Sequence, residues 1–393
     1  MSKWSKIKLG KACQISKGQQ LNKIDLEKAG DYPCINGGIE PSGYTDKWNT
    51  DANTITISEG GNSCGYVNFL STRFWSGGHC YSLLDLKENI DVNFLYQALK
   101  GRESLIMGLR VGSGLPNIQQ KAIREFEFDY PEEKPEQTRI AQILSTADRA
   151  IAQTEALIAK YQRIKTGLMQ DLLTHGIDEH GNIRSEQTHH FKTEKGLRVP
   201  EEWEVNGISE FCSIHNNLRK PISSLERFEK NGIYPYYGAT GIIDFLDEYR
   251  VEGKFVLIGE DGDHFLKFEK QNMTHLVNGK FNVSNHAHIL RGKGNCLTEW
   301  VHYFFCNKDI TYYLTRQGAG RYKLNKATLQ NLPMAVPKKQ DEQKRIIEKA
   351  VAIQKQFQNI LNYREKLQSL KTGLMQDLLS GKVKVKIEEN EMV

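Results

Sequence analysis

Two long stretches of the chain carry apolar residues at alternating steps of three and four. The first stretch has Ile140, Leu144, Ala147, Ile151, Thr154, Ile158, Tyr161, Leu168 and Leu172 in this register, and the second has Ile346, Ala350, Ile353, Phe357, Ile360, Leu367, Leu374 and Leu378. A seven-residue apolar repeat over about five heptads is typical of coiled-coil helices. The pattern predicts long helices over residues 135–175 and 339–381, and about 38 residues of helix span about 57 Å.

The two helical stretches belong to an internal repeat. Residues 165–173 and 371–379 both read KTGLMQDLL, 206 positions apart, and the same offset pairs Gln137 with Gln343 and Arg139 with Arg345. A single such helix would expose its apolar seam, so we expect the two helices to pair with each other. Two like copies joined by a short linker favour an antiparallel pair with pseudo-two-fold symmetry, although parallel pairing needs only a longer linker.

A mixed segment precedes each predicted helix. Short β-branched and aromatic runs predict strands at residues 53–57, 66–70, 80–84, 254–258, 265–268 and 288–290. We therefore predict an α+β fold with two β-rich globular domains, separated by the antiparallel helix pair. The predicted organisation is a first domain at 1–134, a helix at 135–175, a polar linker at 176–200, a second domain at 201–338, a helix at 339–381 and a tail at 382–393.

Composition limits the classes of protein to which the chain can belong but does not identify one. The 393 residues are 39% hydrophobic and 26% charged, with a net charge of +5. The sequence has no run of about 18 apolar residues, so it predicts no membrane span. The first ten residues do not resemble a secretory signal. The seven cysteines include no CxxC pair, which favours a reducing cytoplasm over a disulfide framework or a cysteine zinc site.

Catalytic motifs are missing from the sequence. There is no GxxxxGK[ST], HExxH or GxSxG string, and no Pro-Pro pair of the kind that amino-methyltransferases carry. The string from Glu252 to Lys254 has the Glu-x-Lys form of some nucleases, but a salt bridge is the simpler interpretation. His286 and His288 could lie on one strand face, where a structural or DNA-contacting role is favoured over a metal site. We therefore predict no catalytic residues and no metal ligands.

The repeat resembles a known family. The matching strings are the two KTGLMQDLL helix ends, EQTRI at 136–140 and EQKRI at 342–346, VPEEW at 199–203, GSGLPNI at 112–118 and GAGRYKL at 318–324. In this order and duplicated, they resemble the specificity subunit of type I restriction-modification systems, and the resemblance covers essentially the whole chain.

The resemblance implies a non-catalytic subunit that gives a complex its DNA sequence specificity. Each globular domain would be a target recognition domain that reads half of a bipartite, asymmetric site in double-stranded DNA, with the coiled coil as spacer. Two adenine methyltransferase subunits and the restriction (translocase-nuclease) subunits would be the partners. S-adenosylmethionine, ATP and magnesium would be bound by those partners and not by this chain. The alternatives are a stand-alone nuclease with duplicated lobes and a coiled-coil scaffold that binds only proteins.

Base edges in the major groove are read by Arg or Lys at guanine, by Asn or Gln at adenine and by acidic groups at cytosine. The loops that differ between the two copies supply such side chains, and their glycines allow close approach to phosphates. The predicted DNA-binding residues are Lys17, Gln19, Asn62, Arg73, Arg110, Ser113, Asn117, Gln119, Arg219, Lys220, Asp261, Asp263, Asn285, Arg316, Arg321, Tyr322 and Lys323.

The identical helix ends predict two equal docking surfaces for partner subunits. Glycine inside a helix costs about 1 kcal/mol relative to alanine, so a glycine kept in both copies indicates close packing there, by the sister helix or by an external subunit. The alternative for the apolar neighbours is packing against the chain's own domains. The predicted partner-binding residues are Gly167, Leu168, Met169, Leu172, Gly373, Leu374, Met375 and Leu378.

Overall fold

The chain folds as two units, one made of two segments that are distant in sequence and the other of one continuous segment. The computed structural model describes residues 3–22, 26, 30–112, 114–317 and 321–387. Unit 1 comprises residues 1–157 and 360–393, and unit 2 comprises residues 158–359. Each unit therefore combines one β-rich segment with the beginning of one long helix and the end of the other.

The elements of unit 1 alternate short strands with short helices. In chain order they are β1 (Trp4–Lys8), α1 (Leu9–Ala12), β2 (Gln14–Lys17), β3 (Tyr32–Ile35), β4 (Gly43–Thr45), β5 (Thr54–Ser58), β6 (Val67–Leu70), β7 (Trp75–Ser76), β8 (Cys80–Leu84), α2 (Val92–Gly101), α3 (Glu103–Met107), α4 (Gln120–Glu125), β9 (Glu127–Pro131) and the first part of α5 (Lys134–Thr174).

A four-stranded sheet in the order β2-β8-β5-β6 is the centre of unit 1. Its middle strand β5 reads TITIS and is buried along its whole length, as β-branched residues favour. Helix α2 covers the sheet with Phe94, Leu95, Ala98 and Leu99, which are all fully buried. A second sheet in the order β4-β3-β7 and the antiparallel pair β1-β9 complete the described strands of this unit.

Unit 2 continues the chain after α5. Its elements are β10 (Phe191–Glu194), β11 (Leu197–Pro200), β12 (Trp203–Gly207), α6 (Ile208–Phe211), β13 (Cys212–Ile214), α7 (Ser224–Glu229), β14 (Asn231–Tyr237), β15 (Ile242–Leu246), β16 (Val251–Gly259), β17 (Asp261–Gly262), β18 (Thr274–Val283), β19 (Ala287–Gly292), α8 (Thr298–Phe305), β20 (Thr315–Gln317), β21 (Arg321–Lys323), α9 (Lys326–Asn331), β22 (Pro333–Pro337) and α10 (Gln340–Leu378).

The scaffold of unit 2 repeats that of unit 1 with additions. Its main sheet has the order β13-β19-β16-β18-β14-β15, so strands β13, β19, β16 and β18 stand where β2, β8, β5 and β6 stand in unit 1. Helix α8 takes the place of α2, and Trp300, Val301 and Phe305 are fully buried there. Residues 265–268 were predicted to form a strand; this was wrong, because His264–Lys267 is a 3₁₀ helix.

The long helices pair antiparallel inside each unit. In unit 1, Lys371 of α10 forms an ion pair with Asp148 of α5. In unit 2, the amide of Gln356 lies 3.4 Å from the hydroxyl of Tyr161. From the first pair to the second, the residue number on α5 increases while that on α10 decreases, so the two helices run in opposite directions. The predicted α+β class with an antiparallel pair of long helices is confirmed, and the domain boundaries stay predictions.

The glutamine repeated at the start of each long helix ties that helix to its own globular segment. Gln137 Nε2 donates to the carbonyls of Asn89 and Pro131, both at 2.9 Å. Gln343 Nε2 likewise donates to Asn295 (2.9 Å) and Pro337 (3.0 Å). Each side-chain oxygen also accepts from a backbone N–H. Both glutamines are fully buried, so this complete set of partners explains why the residue is the same in both copies.

The segment after α5 is part of the packed structure of unit 2 and differs in this from the predicted polar linker at 176–200. Arg184 is 7% exposed and forms a two-point ion pair with Glu342, at 2.5 and 3.2 Å. The same carboxylate accepts from Trp203 Nε1 and from the backbone N–H of Ile177, both at 3.2 Å. The residues around Arg184 are therefore ordered by a buried charge pair.

Replacing Arg184 by Met would leave the buried Glu342 carboxylate without its cation. We expect the free energy of unfolding of unit 2 to fall by about 3–5 kcal/mol, which is the usual cost of breaking a buried ion pair. Denaturant titration of the full chain, followed by tryptophan fluorescence, measures it. Arg198→Met is the control, because it removes the exposed Arg198–Glu186 pair and should change little. Equal effects of the two substitutions would contradict the structural role of Arg184.

Candidate nucleic-acid interface

The central strand of each main sheet ends at a glutamate held by the same backbone contacts. In unit 1, the N–H of Glu59 donates to the carbonyl of His79 (2.9 Å), and its carbonyl accepts from Ile118 (2.8 Å). In unit 2, the N–H of Glu260 donates to His286 (2.8 Å), and its carbonyl accepts from Leu324 (2.7 Å). The two units thus place a carboxylate at the same point of the shared scaffold. We call these points the strand-end sites.

The strand-end site of unit 1 joins one predicted DNA-binding residue to residues that were not predicted. Lys17 Nζ donates to Glu59 Oε1 at 2.6 Å, and the Tyr81 hydroxyl donates to the same oxygen at 3.0 Å. His79 Nδ1 lies 3.5 Å from the other carboxylate oxygen. Burial opposes ionisation of Glu59, but the hydrogen bonds from Lys17 and Tyr81 outweigh it, so its pKa lies below the usual value.

The glycine loop of unit 1 lies against the same site. Asn117 forms bridges with Val111 and with Gly60, next to Glu59, and Gly61 donates to the carbonyl of Pro116 at 3.0 Å. Three further predicted residues have exposed side chains, Asn62 in the turn after Gly61 and Arg110 and Gln119 on either side of the loop. The predicted residue Ser113 lies outside the described residues.

Two predicted residues of unit 1 have other neighbours. Arg73 forms an ion pair with Asp51 (3.4 Å), and its guanidinium lies 4.3 Å from the centroid of the Trp48 ring. The backbone carbonyl of Gln19 accepts from Trp75 Nε1 at 2.8 Å, while the side chain of Gln19 is exposed. Trp48 is 40% exposed and could stack on a base, although no sequence pattern indicated it.

The strand-end site of unit 2 holds more cations. Arg219 Nη1 donates to Glu260 Oε2 at 2.5 Å, and Lys323 Nζ lies 3.6 Å from Oε1. His288 Nε2 lies 3.7 Å from the carboxylate, but it donates to the carbonyl of Leu324 at 2.7 Å, and Nδ1 accepts from Asn216 at 2.8 Å. Burial lowers the pKa of His288, which keeps the ring neutral near pH 7.

A short hairpin brings the predicted residues Arg316, Tyr322 and Lys323 to this site. Strand β21 pairs with β20 and with β17, so Lys323 lies opposite Asp261 and Tyr322 opposite Gly262. The guanidinium of Arg316 lies 6.0 Å from the Tyr322 ring centroid. Asp261 accepts from His286 at 2.9 Å. Nothing is described of the side chain of Arg321, and the glycine loop between the two strands lies outside the described residues.

The remaining predicted residues of unit 2 lie near the same edge. Asn285 adjoins His286, and its carbonyl accepts from Arg219 at 3.1 Å. Lys220 follows Arg219 and has an exposed side chain. Asp263 follows β17 and forms an ion pair with Lys267 at 2.9 Å; the hydrogen bond from Lys267 holds the pKa of the carboxyl below its usual value. Unit 2 therefore gathers its predicted residues more tightly than unit 1 does.

The sequence left open a nuclease site at the Glu-x-Lys string and a metal site at the histidines, and the described residues assemble neither. The lysine of the Glu-x-Lys string, Lys254, forms an ion pair with Glu299, as the simpler interpretation expects. Over the described ranges, no group of three or more His, Cys, Asp or Glu side chains is placed to hold a metal ion. None of the described helices is long and apolar enough to cross a membrane.

The helix ends correct the docking prediction for two of its leucines. Leu172 is buried in the core of unit 2 and Leu378 in the core of unit 1, so neither offers a surface to a partner. Four of the predicted residues are only partly buried by these cores, namely Leu168, Met169, Leu374 and Met375. A Cβ added at Gly167 or Gly373 would meet no described atom within 4 Å. The sister helix therefore does not explain the glycines.

The family described as the type I restriction modification DNA specificity domain matches residues 1–163 and 200–372. These two matches cover most of the chain and follow its two copies. The chain therefore belongs to this family and carries two DNA specificity domains.

Relatives by sequence carry the same description. A protein named as a type I specificity subunit of Mycoplasma genitalium is 33% identical over 60% of this chain and 58% of its own length. A second, from Mycoplasma pneumoniae, is 32% identical over 64% of each chain. The MjaVIII specificity subunit of Methanocaldococcus jannaschii is 23% identical over 98% of this chain and 93% of its own. The chain thus spans about 60% of the first two relatives.

Solved structures share the fold at low sequence identity. The crystal structure of a type I restriction-modification S subunit from M. genitalium superposes with a TM-score of 0.69 at 22% identity, over 96% of both chains. A chain from a study of complex assembly in the type I system gives 0.55 at 16% identity, over 97% of this chain and 98% of the other. These likenesses establish the two-domain fold.

Proposed function

We propose that this chain is the non-catalytic DNA-recognition subunit of a type I restriction-modification complex and binds a bipartite, asymmetric site in double-stranded DNA. The observation that carries the proposal is the pair of strand-end sites. They occupy the same scaffold position in both units, yet they present Lys17 in one and Arg219 with Lys323 in the other. Equal scaffolds with unequal polar edges suit two readers of two different half-sites.

The long helices suit the role of spacer between the half-sites. Helix α5 is continuous over 41 residues and α10 over 39, so each is roughly 60 Å long at 1.5 Å per residue. Two half-sites one helical turn apart are about 34 Å apart along DNA. A length on this scale supports an unread spacer of one to two turns of duplex.

The partners in this proposal are two methyltransferase subunits and the restriction subunits. The shared fold with a chain from a type I assembly supports a multi-subunit complex. S-adenosylmethionine, ATP and magnesium would be bound by those subunits, which work in the cytoplasm. The part assigned to this chain is to position the complex on DNA.

The docking surfaces in this proposal lie beside the repeated glycines. Ile164 is 46% exposed and Leu370 is 56% exposed, although both are large apolar residues. They are equivalent in the repeat, and each lies three residues before a glycine, on the same helix face. Open space at Gly167 and Gly373 allows a partner helix to approach the backbone closely. Two equal surfaces suit two copies of one subunit.

Exchanging residues 1–134 for the corresponding segment of a relative with a known site tests the two-reader proposal. We expect one half-site to change and the other to stay, because each strand-end site lies within its own unit. Methylation sequencing of DNA from cells that carry the hybrid system is the measurement. Exchange of residues 201–338 is the matched control and should alter only the other half-site. A simultaneous change of both half-sites would refute independent readers.

Gly167→Trp and Gly373→Trp test the docking surfaces. The first side-chain carbon added there meets no described atom within 4 Å, so we expect the fold to survive while co-purification with the methyltransferase falls at least tenfold. Gln368→Trp on the opposite face of α10 is the matched control and should leave the amount of complex unchanged. Full recovery of the complex with both glycine variants would rule out these surfaces, provided that circular dichroism shows the variants folded.

A further inference from the structure

The strand-end glutamates present a physical problem in a protein that binds DNA. A carboxylate repels phosphates, and its removal normally strengthens non-specific DNA binding. Yet Glu59 and Glu260 occupy the same place in both units and are equally shielded, with side chains 15% and 16% exposed. Each also lies beside cationic side chains of its own unit, Lys17 at Glu59 and Arg219 with Lys323 at Glu260. This arrangement indicates that the carboxylates act on the cations, and through them on DNA.

In unit 1 the carboxylate fixes a lysine that would otherwise be free. The Lys17 side chain is 50% exposed, and its ammonium has Glu59 as its described hydrogen-bond partner. An ammonium has three N–H donors, so two remain for acceptors of a bound molecule. A flexible lysine loses much rotamer entropy on binding. The contact with Glu59 removes that freedom before DNA arrives.

In unit 2, Arg219 lies beside Glu260, and most of its N–H donors bond to oxygens of the protein. Nη1 of Arg219 donates to Glu260 and to the carbonyl of Asn285, and Nε donates to the carbonyl of Asn216 at 3.3 Å. Its side chain is only 20% exposed. Arg219 therefore cannot offer the free two-nitrogen fork that reads guanine. Lys323, which is 35% exposed and 3.6 Å from the other carboxylate oxygen, is the cation that remains available.

We propose that Glu59 and Glu260 are positioning residues that hold Lys17 and Lys323, respectively, against acceptor atoms of their half-sites, with Arg219 as a clamp on Glu260. The shared chemistry is a single ammonium donating to a base acceptor or a phosphate oxygen. This inference rests on the proposed DNA recognition and adds to it the residues that orient the contacts. It also predicts that Lys323 contributes more to recognition than Arg219 contributes by direct contact.

The test uses the full chain in complex with its methyltransferase. A randomised duplex library, enriched by binding to the wild-type complex, supplies the preferred duplex, and a scrambled duplex serves as the non-specific probe. Anisotropy gives Kd for both duplexes with Glu59→Gln and Glu260→Gln. We expect each variant to bind the preferred duplex about tenfold more weakly, the scale of a lost base contact. Binding to the scrambled duplex should stay equal or become tighter, because a negative charge is gone.

The controls remove equivalent pairs elsewhere in each unit. Glu125→Gln breaks the exposed Lys8–Glu125 pair in unit 1, and Glu299→Gln breaks the Lys254–Glu299 pair in unit 2. Lys254 lies near the end of β16 opposite to Glu260. Both controls should keep the ratio of preferred to scrambled affinity. Repeating Glu59→Gln in a Lys17→Gln background should add no further loss, because the glutamate acts through that lysine.

The outcomes separate the sources of the effect. Relaxed preference at one position of the enriched sequences identifies a base contact. Weaker binding of the preferred duplex with every position still specified, and with a salt slope smaller by about one, identifies a phosphate contact made only in the specific complex. Tighter or unchanged binding of the preferred duplex would overturn the inference. Equal loss on both duplexes together with a lower melting temperature would also overturn it, by showing a structural role alone. If the wild-type complex did not discriminate between the duplexes, the proposed function itself would fail.

Discussion

Each globular core depends on packing against the ends of two different helices. The core of unit 1 includes Leu144 from the first part of α5 and Leu378 from the end of α10. The core of unit 2 includes Leu172 from the end of α5 and Ile346 from the first part of α10. Buried leucines of this kind each contribute on the order of 2 kcal/mol or more. Neither globular segment can therefore complete its core without residues from the helix that belongs to the other copy of the repeat.

This constraint explains why the repeat is uneven. In each copy, the string KTGLMQDLL supplies a leucine that completes a core, Leu172 in one and Leu378 in the other. Gln137 and Gln343 bond the beginning of each helix to its own globular segment. Each of these contacts requires a particular side chain on the helix. The helix sequence at these positions is therefore the same in both copies. The strand-end sites lie outside these cores. At these sites the same scaffold accepts Lys17 in one unit and Arg219 in the other.

The sequence predicted the parts of the fold that have a strong period. The heptad pattern indicated both long helices, and strand 80–84 was found at those residues because its apolar run is short and clearly bounded. The prediction for 265–268 was wrong because a brief apolar run cannot distinguish a strand from a turn of helix that buries Phe265. The buried role of Arg184 was missed because its partner, Glu342, is 158 residues away.

The candidate site was predictable in composition but not in arrangement. Donor-rich loops pointed to Lys17, Arg219 and Lys323. The role of Glu59 and Glu260 could not be predicted, because a carboxylate near DNA looks unfavourable until its cations are located. Likewise, only the count of nitrogen donors already used by Arg219 shows that Lys323 is the available cation.

The central claim is the proposal that one chain carries two independent DNA readers joined by continuous long helices. Genome-wide sequencing of methylated adenines in cells that contain the intact system measures this directly. The account predicts one recognition sequence made of two specified blocks of different sequence, separated by an unspecified gap of constant length. A single continuous block, a gap of variable length, or two identical blocks would contradict it.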